Sequence, residues 1–238
     1  MIPEPTRRRI GLIDYGMGNL HSVQRAFERL DAFVVPVTDG AAMEGCDGLV
    51  LPGVGAFDPA MERLRDRGLA SAIKHWCEQG QPLLGICLGL QLLFEGSDEG
   101  QAPGLGLLQG RVEALPRKSG HPIPHMGWEP LIPAEPSPLL PEGSPESWVY
   151  FVHSYAAVPT DAACTTAQVG SKWSPQGRVR PSTPRAAFSR SQARTSRQGC
   201  CVRASVQRAK AIAQLASRWA TGIRPSRGKP ITWGLQPT

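Results

Sequence analysis

The residue best equipped to do chemistry is Cys87. It stands in Leu83-Leu84-Gly85-Ile86-Cys87-Leu88-Gly89, an apolar run, then Gly-x-Cys-x-Gly, then residues suited to a helix. This is the pattern of a nucleophile elbow with Cys in place of Ser, a sharp strand-to-helix turn that lifts a nucleophile out of the chain. Gly85 and Gly89 keep neighbouring backbone clear of the side chain. A helix starting at the sulfur is expected to lower the thiol pKa and favour thiolate. The Leu88 N–H is placed to donate to a tetrahedral oxyanion. An isolated Gly-x-Cys-x-Gly is more often a buried free cysteine beside two packing glycines. The strand before it and the helix after it favour the reactive reading here. A second glycine-rich turn, Leu51-Pro52-Gly53-Val54-Gly55-Ala56-Phe57, follows another apolar run and offers further backbone N–H groups.

Elements must bring these turns together. Arg9–Tyr15, Phe33–Val37, Gly48–Leu51 and Pro82–Ile86 read as short apolar strands. Between them, Leu20–Leu30 carries Leu20, Val23, Phe27 and Leu30 at helical spacing, and 58–79 reads as helix interrupted near Gly68. A further helix is expected from Cys87 to about Phe94. Strands alternating with helices predict βαβ units, hence an α/β fold with a covered parallel sheet. Val149–His153 reads as one more strand, and Arg111–Pro145 as Pro- and Gly-rich turns.

The charge is divided along the chain. Of 26 Lys+Arg and 20 Asp+Glu, residues 1–170 hold 12 and 20 (12 − 20 = −8), and residues 171–238 hold 14 and none (+14), summing to +6. From Ser171 the sequence is rich in Arg, Ser and Pro, shows neither a period of 2 nor of 3.6, and reads as unable to form a core. Within it, Cys201–Ala220 has the spacing of one amphipathic helix. No run of about 18 apolar residues predicts a membrane span. The stretch after the basic N-terminus is too short for a signal-peptide core. Six cysteines without framework or metal spacing read as reduced and cytosolic, with no metal site and no cofactor expected.

Six segments then occur in order: Ile13–Val23 (IDYGMGNLHSV), Leu51–Phe57 (LPGVGAF), Gly85–Gly100 (GICLGLQLLFEGSDEG), Gly104–Val112 (GLGLLQGRV), Pro124–Glu129 (PHMGWE) and Tyr150–Tyr155 (YFVHSY). Together they resemble the class I glutamine amidotransferase family, in the branch of the glutaminase subunits of imidazole glycerol phosphate synthase. The resemblance covers about residues 9–170. It implies a class I amidotransferase-like, parallel-sheet α/β domain over 1–170, C-terminally incomplete, with a tail over 171–238 that does not fit the fold. It implies that Cys87 attacks the glutamine carboxamide and forms a γ-glutamyl thioester with release of ammonia. It further implies that Gly53 and Val54 with Leu88 form the oxyanion region, that Gln91 and Glu99 hold the amino-acid end of glutamine, and that His153, Ser154 and Tyr155 line its pocket. Ammonia would pass to a (β/α)₈-barrel cyclase subunit in a heterodimer, with Met126, Gly127 and Trp128 at or near that interface. Without the resemblance, His125-Met126-Gly127-Trp128 reads as an ordinary core turn.

A cysteine nucleophile needs a base, and the base an orienting acid. The family's pattern supplies both from a His-Pro-Glu segment about a hundred residues after the cysteine. This chain has no histidine after His153 and no acidic residue after Asp161. Pro181-Ser182-Thr183-Pro184-Arg185-Ala186 can be encoded CCT TCC ACC CCG AGA GCC. Read from the last base of the first codon, the same bases give TTC CAC CCC GAG AGC, or Phe-His-Pro-Glu-Ser. The hidden His falls about 95 positions after Cys87. The expectation is a frameshift near residues 165–175, in the gene or in its sequence. Two alternatives remain: an amidotransferase-like binding or regulatory subunit that has lost hydrolysis, and an α/β domain with a nucleic-acid-binding tail. The tail's aromatics, Trp173, Phe188, Trp219 and Trp233, are too sparse to act as stacking platforms, which disfavours the latter.

Overall fold

A computed structural model of the chain describes residues 7–117, 122–133, 148–160 and 167–169. The tail expected not to fit the fold, and the helix read in it, lie outside these residues.

Four parallel strands make the main sheet: β1 (Arg9–Ile13), β2 (Phe33–Val37), β3 (Gly48–Gly53) and β4 (Leu83–Cys87), in the order β2-β1-β3-β4. The crossovers are helices, α1 (Leu20–Glu28) after β1, and α2 (Phe57–Asp66) with α3 (Leu69–Glu78) after β3. Asn19 starts α1, its side-chain oxygen accepting from the Ser22 N–H. The break between α2 and α3 falls at Gly68, at φ +67°, as the sequence indicates. A short four-residue helix, α4 (Leu88–Gln91), follows β4.

Alternation along the strands divides the core between two faces. Ile10, Leu12 and Val50 turn to one face and pack with Phe27 of α1. Ile13, Leu49 and Leu51 turn to the other and pack with Phe57, Met61 and Leu64 of α2 and Ile73 and Trp76 of α3. β3, between two neighbours and under both layers, is buried at all six positions. β4 is as apolar as β3, yet only partly covered. Among the described residues no strand pairs with its outer edge.

Two smaller sheets complete the described structure. One has the order β5-β6-β9, from β5 (Gly96–Ser97), β6 (Gly110–Ala114) and β9 (Tyr155–Pro159). The other is β10-β7-β8, from β7 (His125–Pro133), β8 (Trp148–His153) and β10 (Ala167–Val169). β8 matches the strand expected at 149–153. Over 111–114 and 125–133, β6 and β7 overturn the reading of 111–145 as turns. β6 holds no proline and β7 carries Pro130 within it and Pro133 at its end, and the two strands pair antiparallel with β9 and β8. The helix after Cys87 is also shorter than expected. α4 ends at Gln91, and turns carry the chain through Phe94 toward β5.

Candidate active site at the Cys87 elbow

Cys87 ends β4 and caps α4 with φ 56° and ψ −118°. A side chain at such angles costs about 1–3 kcal/mol and persists only where the surroundings impose it. Three glycines impose it here by close approach. A Cβ on Gly89 would lie 1.8 Å from the Leu51 carbonyl oxygen, and one on Gly85 would lie 2.6 Å from the Leu90 Cα. A Cβ on Gly53 would fall 2.8 Å from the Gly89 nitrogen. The elbow is thus pressed against the end of β3, and Cys87 as a residue stays exposed at the rim while protein closes around its sulfur.

The ladder register pairs Gly53 with Cys87, so the second glycine turn lies beside the nucleophile, with Val54 the next residue along. The Leu88 N–H donates toward the Cys87 sulfur. Tyr15, at the end of β1, is buried and donates its hydroxyl to the Pro52 carbonyl at 3.0 Å. Burial first, and then the charge of Cys87, raise the Tyr15 pKa, so it stays a neutral donor. That bond fixes the peptide leading into Gly53. Sequence reasoning missed Tyr15, because nothing local links it to residues 37 positions away.

The thiol itself departs from expectation. Its pKa is raised above the ordinary 9.0, because desolvation outweighs the Leu88 N–H. A four-residue helix has little dipole to offer, and among the described residues no cation offsets the desolvation. At neutral pH Cys87 is therefore a thiol that needs a base to react. The rate of its alkylation by iodoacetamide is expected to keep rising beyond pH 9.0. A plateau below pH 8 would show the thiolate to be stabilised after all.

The remaining pocket candidates fall into two groups. Gln91, one turn beyond Cys87, donates its Nε2–H to the Tyr155 carbonyl at 3.2 Å. The same carbonyl lies 2.9 Å from the His153 Nδ1, and the His153 Nε2 lies 3.1 Å from the His125 Nδ1. Ser154 joins β8 to β9, and its carbonyl accepts from the Leu115 N–H. Glu99 belongs to a different arrangement. Its carboxylate accepts the Phe57 N–H at 2.9 Å and so caps α2, which lacks a side-chain cap of its own. Asp58 on the same turn accepts from the Gln101 and Ala102 N–H groups, and these bonds hold its carboxyl below the usual range. The loop carrying Glu99 is thereby clasped to the N-terminus of α2.

Pairing places Met126 opposite Val152 and Trp128 opposite Tyr150, with all four exposed on one face of the β7–β8 ladder. Trp128 and Tyr150 meet edge to face at 5.5 Å. Gly127 lies between them in sequence, opposite Phe151. The other face carries His125, Phe151 and His153. His153 could in principle replace a missing base. Both of its ring nitrogens are already engaged, so it is not available to Cys87 in this arrangement.

The model of the family described as Glutamine amidotransferase class-I matches residues 11–181. The chain belongs to the class I glutamine amidotransferases. Among similar members of that family, the imidazole glycerol phosphate synthase subunit HisH of Synechococcus sp. (strain CC9605) is 62% identical over 152 residues, covering 64% of this chain and 71% of the relative. The subunit HisH 2 of Prochlorococcus marinus (strain MIT 9313) is 60% identical over the same length and shares. Two solved structures share the amidotransferase fold. One titled as a glutamine amidotransferase has a TM-score of 0.50 at 22% identity, covering 64% of this chain and 74% of that one. The other, PurLQS from Thermotoga maritima, has 0.51 at 20%, covering 68% and 74%.

Proposed function

We propose that this chain is the glutaminase subunit of an imidazole glycerol phosphate synthase. It takes the amide nitrogen from glutamine and hands ammonia to a cyclase subunit for histidine biosynthesis. Support comes from the HisH relatives and, above all, from one geometric observation: Cys87 stands at a positive φ beside Gly53, held there by glycine contacts. In this reading the sulfur attacks the glutamine carboxamide carbon, and ammonia leaves as the thioester forms. Water then releases glutamate and regenerates the thiol. Leu88, Gly53 and Val54 supply the oxyanion region, while Gln91, Glu99 and the His153–Tyr155 corner hold the amino-acid end. The exposed face bearing Met126 and Trp128 meets the cyclase, with Gly127 in the strand between them at or near that interface. Among the described residues no helix is long and apolar enough to cross a membrane. A cytoplasmic location accords with a biosynthetic role.

The test is protection of the thiol. Glutamine is expected to slow iodoacetamide labelling of Cys87 saturably, and asparagine, one methylene shorter, is not. Equal labelling with and without millimolar glutamine would overturn the reading.

One observation favours a second reading, a subunit that binds without hydrolysing. The chain lacks any histidine after His153 and any acid after Asp161. The alignment with the Synechococcus relative leaves 29% of that relative (100 − 71) without a counterpart here. Both accord with a frameshift near residues 165–175, and the tail over 171–238 is then a translation of the wrong frame.

A further inference from the structure

His125 and His153 face each other across the β7–β8 ladder and have no assigned role beyond lining a pocket. The hydrogen-bond roles around them can be worked out from one fixed point. The Tyr155 carbonyl can only accept, so the His153 Nδ1 at 2.9 Å must carry a proton. In the neutral ring the Nε2 is then an acceptor, and the His125 Nδ1 at 3.1 Å must donate to it. Burial holds the His153 pKa below its ordinary value of 6.5, so the neutral ring is the form present at pH 7. His125 is 3% exposed and stacks on Phe151 at 5.5 Å, which fixes its plane.

Gln91 is a second donor to the same carbonyl. The Tyr155 carbonyl has two lone pairs, one taken by His153 and one by the Gln91 Nε2 at 3.2 Å. With its nitrogen committed, the Gln91 carboxamide must present its oxygen on the opposite side. Gln91 lies one helical turn beyond Cys87, so that oxygen is an acceptor suited to an ammonium group beside the thiol. A flipped carboxamide would offer N–H donors there instead and repel the ammonium.

We propose that His125 and His153 are positioning residues that hold the Tyr155 carbonyl where it accepts the Gln91 Nε2–H, and so set affinity for the α-ammonium end of glutamine. The proposal rests on the reading of Cys87 and Gln91 as the glutamine site. It adds that the relay begins on β7, the strand whose opposite face exposes Met126 and Trp128.

The test uses the full chain and two measurements. In the parent, ring ¹⁵N spectra at pH 7 are expected to show His153 as the Nδ1–H tautomer. An Nε2–H tautomer would overturn the proposal without any reference to glutamine. The second measurement is glutamine protection of Cys87 against iodoacetamide. His153→Phe is expected to raise the half-protecting concentration about tenfold, the worth of one hydrogen bond to a charged group. His153→Asn places its amide nitrogen near the original Nδ1 and is expected to recover most of the affinity. His125→Phe, which keeps the stacking but not the donor, should fall between them. Unchanged protection in His153→Phe, or equal losses in the Phe and Asn variants, would overturn the proposal. Absence of protection in the parent would instead overturn the glutamine-site reading, and the proposal with it.

Discussion

Shifting the reading frame so that the codons over 181–185 give Phe-His-Pro-Glu is expected to raise glutamine hydrolysis by at least about a thousandfold. The chain with its present tail should release little or no ammonia, even with a cyclase subunit added. Desolvation holds the Cys87 pKa above 9.0, so at neutral pH little thiolate forms spontaneously. His153 cannot take the proton, because its two nitrogens serve Tyr155 and His125. The remaining histidines lie in other settings: His21 on α1, His75 on α3, and His121 outside the described residues. Loss of a base from a nucleophile–base pair typically costs several orders of magnitude in rate, and the residual activity comes from binding and oxyanion stabilisation alone. Ammonia production is the measurement, and sequencing across the codons for residues 165–185 accompanies it. Rapid glutamine-dependent ammonia release by the chain as written would sink the argument. So would codons that cannot yield the His-Pro-Glu triplet in another frame.

The second large effect lies in the elbow. Gly89→Ala is expected to destabilise the chain by about 3 kcal/mol or more, through overpacking against backbone that cannot retreat. The added Cβ would meet the Leu51 carbonyl oxygen at 1.8 Å and the Leu51 carbonyl carbon at 2.7 Å, both in the fully buried β3. Gly68→Ala makes an informative control. Gly68 has a positive φ but nothing within 4 Å of its Cβ position, so it should cost only about 1 kcal/mol of backbone strain. Thermal melts of the two variants separate clash from strain. If Gly89→Ala melts within about 2 °C of the parent, the packing of the elbow on β3 is not what holds it.

Much of this architecture is legible in the chain because its signals are local. The apolar runs at 9–15, 33–37, 48–51 and 82–86 are bounded by turns and separated by helical periodicity, which is enough to indicate a parallel α/β sheet. The Gly-x-Cys-x-Gly segment announces the elbow for the same reason. What escapes is non-local. β7 is disguised by Pro130 and Pro133, and β6 by Gly110 and the charged Arg111 and Glu113, and only pairing with β9 and β8 reveals them as strands. Tyr15 matters through a bond to residue 52, and the His125–His153 contact spans 28 positions. Glu99 is read as a substrate ligand, and the bond its carboxylate also accepts from the N–H of Phe57, 42 positions away, is one that no local pattern announces. The thiol pKa fails for a different reason. Sequence shows that a helix follows Cys87, but not that it is one turn long, nor how much protein surrounds the sulfur.

The outer edge of β4 carries one more consequence. Among the described residues no strand lies beside it, so the backbone donors and acceptors along Leu83–Cys87 form a row that a further extended segment can join. Because that row ends on Cys87, any segment added there would run up to the nucleophile itself, and sheet growth and access to the sulfur are coupled at one residue.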